Sequence, residues 1–150
     1  AGFSVIIGLA RGIDTLAHKA ALSAGAYTIA VFGCGLVHTY PPENIKLRQQ
    51  IVEQGAILSE FPIFMRPDRN NFPARNRILS GFDLGTVVVE TAEKSGALIT
   101  ADFALEQGRE VFAVPGNITS LKSRGTNSLI KAGAKLIDSP ESILKELLPA

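Results

Sequence analysis

The sequence predicts an α/β fold, a three-layer sandwich built on a mostly parallel sheet, and three observations carry that prediction. Short β-branched runs alternate with stretches of helical periodicity along the whole chain, the order that builds βαβ units with right-handed crossovers. The run Thr86-Val87-Val88-Val89 has no alternating polar position, which predicts a strand with helices on both faces. Glycines close the helical stretches and open the turns that follow strands. Together these give a Rossmann-like architecture.

Strands are predicted at residues 3–7, 27–32, 56–59, 86–90, 110–114 and 135–137. Between the first two, Ile13, Leu16, Ala17, Ala20 and Ala24 fall on one face of a helix that Gly25 closes. Ala97, Leu98, Ala101, Ala104 and Leu105 repeat the pattern before Gly108. Further helices are predicted at 43–54, 72–82, 125–132 and 140–148.

A length of 150 residues corresponds to one domain, so residues 1–150 are expected to form a single core. Hydrophobic residues at 46% and charged ones at 19% exclude a disordered chain. The chain opens Ala1-Gly2-Phe3 and runs straight into a strand. Ala-Gly is how a helix ends, so a preceding strand-helix unit is expected to be missing. Cys34 is the single cysteine, which excludes an internal disulfide, and no Cys/His cluster has zinc spacing, so no metal is predicted. No apolar run spans a membrane and no signal peptide is visible, which predicts a cytoplasmic protein. A net charge of +1 names no partner.

Ligands of such sheets bind outside the carboxyl ends of the strands. Function is therefore sought at residues 8–12, 33–35, 60–71, 91–95 and 115–125. Gly8-Leu9-Ala10-Arg11-Gly12-Ile13-Asp14 joins strand to helix. Its glycines admit a close anion, Arg11 adds a fork suited to phosphate, and Asp14 is the expected N-cap. Neither a dinucleotide fingerprint nor a P-loop is present, so no nicotinamide cofactor is predicted. Gly33 and Gly35 are a weaker glycine pair, also expected to border the phosphate site, with Cys34 between them a small buried residue and His38 in a loop. His18 stands four residues after Asp14, close enough to pair with it on one helix face.

Arg66, Arg69, Arg75 and Arg77, with Phe72 and Asn76, run from a strand-end loop into a helix. Guanidinium forks beside an aromatic ring make a surface for phosphates and bases. Glu60 and Glu90 end strands; as structural carboxylates they would be braced by Arg75 or Arg77, as catalytic ones they would serve as acid or base. Lys94-Ser95-Gly96 opens the best helix, with Ser95 the expected N-cap and Gly96 open to a phosphate. Lys122, Arg124, Lys131 and Lys135 form a second basic stretch.

Taken in order, Gly-Leu-Ala-Arg-Gly-Ile-Asp, Ala-His, Gly-Cys-Gly, Tyr-Pro-Pro-Glu-Asn, Ser-Glu, Phe-Pro-Ala-Arg-Asn-Arg-Ile, Val-Val-Glu, Ser-Gly-Ala-Leu-Ile-Thr-Ala and Val-Pro-Gly strongly resemble the DNA-processing protein A family (DprA/Smf), from Gly2 to about Leu147. The resemblance implies a Rossmann-like core that binds single-stranded DNA, forms a homodimer and loads the recombinase RecA during natural transformation. It implies no catalysis. It places a phosphate loop at Gly8, Ala10, Arg11 and Gly12, an arginine motif from Phe72 to Arg77, and Ser95-Gly96 at the second helix start of the pocket. Two departures stand out: Ile7 where the family usually has Ser, and Val37 where Asp is common. The resemblance further implies an opening strand and flanking small domains, which are expected to lie outside this sequence.

Two rival readings compete. One is a nucleotide-binding hydrolase resembling the lysine-decarboxylase-like phosphoribohydrolases; those carry Pro-Gly-Gly-x-Gly-Thr, whereas this chain has Pro115-Gly116-Asn117. The other is a scaffold that only dimerises.

Overall fold

A computed structural model of the chain describes residues 2–148. The backbone gathers into two compact units, Ala1–Leu79 and Ser80–Ala150. Each builds a three-stranded parallel sheet. The first unit contains β1 (Val5–Ile7), α1 (Ile13–Ser23), β2 (Thr28–Val31), a 3-10 turn (Pro42–Asn44), α2 (Ile45–Gln54), β3 (Ala56–Leu58) and the start of α3 (Asn71–Phe82). The second contains β4 (Gly85–Val88), α4 (Gly96–Glu106), β5 (Glu110–Ala113), a 3-10 turn (Leu121–Ser123), α5 (Arg124–Lys131), β6 (Lys135–Leu136) and α6 (Pro140–Leu147).

Sheet order follows chain order in both units, so each parallel neighbour is reached by a helical crossover. Val5 pairs with Thr28 and Ile29 with Ala56 in the first sheet. Val88 pairs with Ala113 and Phe112 with Lys135 in the second. The first core gathers Leu9, Ala30, Phe32, Cys34, Leu47 and Ile51. The second gathers Val88, Ala101, Ala104 and Val111. Each large apolar side chain buried this way contributes about 1.5–3 kcal/mol.

All the predicted strands and helices form, with ends moved by a few residues. Helices α1 and α4 close as expected. Gly25 and Gly108 adopt left-handed backbone, and Ala26 N–H and Arg109 N–H reach back to Ala21 O and Ala104 O. One expectation is corrected. Thr86 and Val88 are buried, but Val87 is 38% and Val89 41% exposed. The segment therefore alternates, because α4 packs against the Val88 face. Ala1, at the opening of the chain, lies outside the described residues. Among the described residues no helix is long and apolar enough to cross a membrane.

Candidate functional site

The turn after β1 is held from behind by four side chains. His18 Nε2 lies 2.5 Å from Gly8 O. Asn44 Nδ2 donates to Leu9 O at 3.0 Å and to Thr15 Oγ1 at 2.9 Å. Thr15 Oγ1 donates to Ala10 O at 2.8 Å. Asp14 Oδ2 accepts the Ala10 N–H at 3.1 Å. Three successive carbonyls are thus satisfied by side chains, while the N–H groups of Arg11 and Gly12 have no partner among the described residues. Unpaired amides at a helix start, with the nearby acceptors occupied, suit an anion. Asp14 is not the N-cap. Gly12 holds that position, and Asp14, one residue into the helix, grips the loop instead.

His18 does not pair with Asp14. It is fully buried between Gly8 and Thr28, with Nδ1 2.7 Å from Thr28 Oγ1. A carbonyl only accepts, so Nε2 carries the proton toward Gly8 O. The Thr28 hydroxyl joins the other side of the ring to Val5 O, which it meets at 3.0 Å. Burial pushes the His18 pKa below its ordinary 6.5. The unfolded chain therefore binds the extra proton first, and stability falls as pH drops from 6.5 toward the depressed folded value. The loss reaches at most about 1.4 kcal/mol per pH unit in that window. Asp14, held above its usual range by burial, works in the opposite sense through its own folded pKa. Urea melts of wild type and His18→Gln at pH 7.5 and 5.5 check this, and the wild type should lose more stability on acidification.

Arg75 and Asp14 close over Gly8. A Cβ at Gly8 would stand 2.8 Å from Asp14 Oδ2 and 2.9 Å from both terminal nitrogens of Arg75. Arg75 is 7% exposed. It donates from Nη1 to Val31 O at the end of β2 and from Nε to Asn76 Oδ1 at 3.1 Å. Its guanidinium lies 5.7 Å from the centre of the Phe72 ring, which is seated on the bare backbone of Gly33. Phe72 meets Tyr40 with centroids 5.3 Å apart. Arg11 lies 5.8 Å from the Tyr40 ring and gives Nε and Nη2 to the two carboxylate oxygens of Glu43, at 2.5 and 3.2 Å. Arg75, Phe72, Tyr40 and Arg11 form a ladder beside the glycine turn, two rings in contact with a cation at each end. Its exposed end, Tyr40 and Arg11, offers a ring face to a base and a guanidinium edge to a phosphate, while Phe72 and the buried Arg75 hold that end in place.

The remaining arginines sort by exposure. Arg66 and Arg69 are exposed, with no ion-pair or hydrogen-bond partner among the described residues. Arg77 pairs with Glu60, the bracing expected for that carboxylate. Asn76 is buried against Arg75. Cys34 is buried as expected, and burial pushes its thiol pKa up, away from nucleophilic use. His38 lies in the loop, 3.2 Å from Phe64 O. Tyr40, Glu43 and Asn44 were not singled out from sequence as site residues. The signal available was the Tyr-Pro-Pro-Glu-Asn run, whose residues reach the glycine turn only through folding.

In the second unit Glu90 is exposed and pairs with Lys122 at 3.6 Å. Ser95 occupies the N-cap position of α4, but its hydroxyl meets Thr91 Oγ1 rather than a helix amide. The cap is lost because the buried Thr91 competes for that hydroxyl. Gly96 and Lys94 are exposed at the same helix start. Lys135 is bound between Glu110 and Glu146, an ordinary surface cluster.

The chain is similar to known proteins over almost its whole length. The chain is 52% identical to protein Smf of Escherichia coli over 97% of its own length and 39% of that protein. It is 47% identical to DNA processing protein DprA of Bacillus subtilis, covering 97% of this chain and 49% of that one. The crystal structure of DprA from Streptococcus pneumoniae superposes with a TM-score of 0.90 at 44% identity, covering 99% of this chain and 52% of that one. A Helicobacter pylori DNA processing protein A, described for its single-stranded DNA binding mode, superposes at 0.86 and 30% identity, covering 96% and 65%. The fold is thus Rossmann-like, and the chain spans about two fifths to one half of the curated relatives it matches. The profile of the DNA recombination-mediator protein A family matches residues 1–148, and the chain belongs to that family.

Proposed function

We propose that residues 1–150 are one Rossmann-like core domain whose work is to bind single-stranded DNA without cutting or modifying it. The observation that carries this reading is the Arg75–Phe72–Tyr40–Arg11 ladder beside a glycine turn whose carbonyls are occupied and whose amides at Arg11 and Gly12 are unpaired. Exposed Arg66 and Arg69 extend the basic rim. Lys94, Ser95 and Gly96 at the start of α4 offer a further phosphate contact in the second unit. A non-catalytic role is supported by His18, both of whose ring nitrogens are engaged, and by the raised thiol of Cys34. The relative from Helicobacter pylori supports the choice of ligand. The finer parts of the reading rest on the family resemblance: a homodimer in the cytoplasm that delivers DNA to the recombinase RecA during transformation.

A gel shift of a labelled oligonucleotide tests the contact itself. Arg11→Ala should weaken binding about tenfold, the value of one charge-assisted phosphate contact. Its melting temperature should hardly change, because Arg11 is 63% exposed. Unchanged affinity in that variant would remove Arg11 from the site.

A further inference from the structure

The loops after β2 and β3 expose an apolar platform beside the ladder. They are joined backbone to backbone: Gly35 N–H donates to Met65 O at 2.8 Å and Val37 N–H to Ile63 O at 3.2 Å. Arg48 braces the loop after β2. Its Nη1 donates to His38 O at 2.9 Å and Thr39 Oγ1 at 2.8 Å, and its Nη2 donates to Leu36 O at 2.5 Å. Its guanidinium lies 5.5 Å from the buried Phe32 ring. Ser59 Oγ adds a bond to Cys34 O at 2.7 Å.

On this braced scaffold Phe64 is 76% exposed, Ile63 53%, Val37 48%, Met65 38% and Leu36 37%. Scattered single apolar residues need no explanation, but a contiguous group held rigidly in water marks a contact surface. The platform continues the ladder, because Asn71, next to Phe72, reaches Met65 Sδ at 3.4 Å. It is followed by the exposed Arg66 and Arg69. The one acid between them, Asp68, accepts the Asn70 N–H at 2.8 Å.

We propose that the 61–66 loop is a second base-stacking subsite, with Phe64 as its platform and Arg66 and Arg69 taking the flanking phosphates. This rests on the reading that the ladder binds single-stranded DNA, and adds where the strand leaves it. Apolar faces bordered by cations match a strand that alternates bases and phosphates. A second copy of this chain fits less well, since a two-fold contact through this patch would bring Arg66 and Arg69 toward their own symmetry mates.

These 150 residues contain no tryptophan, so Phe64→Trp supplies a fluorophore at the platform that can be excited selectively over Tyr27 and Tyr40. The intact protein is titrated with oligothymidylate and with an abasic oligonucleotide of equal length. Oligothymidylate should quench the F64W emission and the abasic strand should not. Phe64→Ala should weaken oligothymidylate binding about 5- to 150-fold. It should leave abasic binding and the salt slope unchanged, because no phosphate contact is removed. If wild type binds and Arg11→Ala weakens it, yet F64W is unquenched and F64A binds normally, the subsite is overturned while the ladder stands. If wild type binds no oligonucleotide, the underlying reading fails and the subsite with it. If F64A instead dissociates an oligomer seen by sedimentation, the platform is a protein interface and the proposal is wrong.

Discussion

Replacing Arg75 by alanine should cost about 3–5 kcal/mol of folding stability, the range for breaking a buried charged contact from one side. The substitution removes the donor to Val31 O and to Asn76 Oδ1, and the cation over Phe72. It also strips the half-buried Asp14 carboxylate of the positive charge that helps hold it ionised. For a chain of 150 residues that loss lowers the melting temperature by about 6–20 °C. Arg75→Lys should recover only part of it, because an ammonium cannot reproduce the fork that serves Val31 and Asn76 together. Differential scanning calorimetry of the three proteins decides the point. A melting temperature unchanged in Arg75→Ala would mean that this guanidinium serves a ligand and not the fold. The contrast with Arg11 is instructive: both belong to the ladder, but one is buried and the other is 63% exposed.

The alternation of strand and helix was legible because it depends on local pattern. Apolar spacing from Ile13 to Ala24 with a closing Gly25 describes α1 almost completely. The glycine turn was legible for the same reason. What fixes that turn was not. Asn44 bonds a carbonyl 35 residues earlier in the chain, and Arg48 binds three acceptors of a loop before its own helix. Neither has a periodicity that announces it. Exposure was the other hidden quantity. Arg75 and Arg77 are two residues apart in one motif, yet one is buried on the end of β2 and the other is a half-exposed partner of Glu60. Asp14 and Ser95 read as caps from residue type alone. Their side chains found better partners in Ala10 and Thr91, contacts that only the folded loops create. Glu90 and Val87 lie on exposed surface although their segment reads as buried.

Binding of a labelled oligonucleotide should be strongly salt-dependent and should favour single strands. On the proposed reading the exposed cations of the rim, Arg11, Arg66, Arg69 and their neighbours, would neutralise about 3–5 phosphates, each adding about −0.7 to the slope on a single strand. Log affinity should then fall against log salt with a slope of about −2 to −3.5, a loss of roughly 15- to 130-fold between 50 and 200 mM. Little sequence preference is expected, because loops and ring faces meet phosphates and bases without a row of groups aimed into a groove. The measurement is a fluorescence-anisotropy titration at several salt concentrations, with a duplex of equal length alongside. Tighter binding of the single strand with a slope in that range is the predicted result; salt-independent binding, or a duplex bound more tightly, would contradict it.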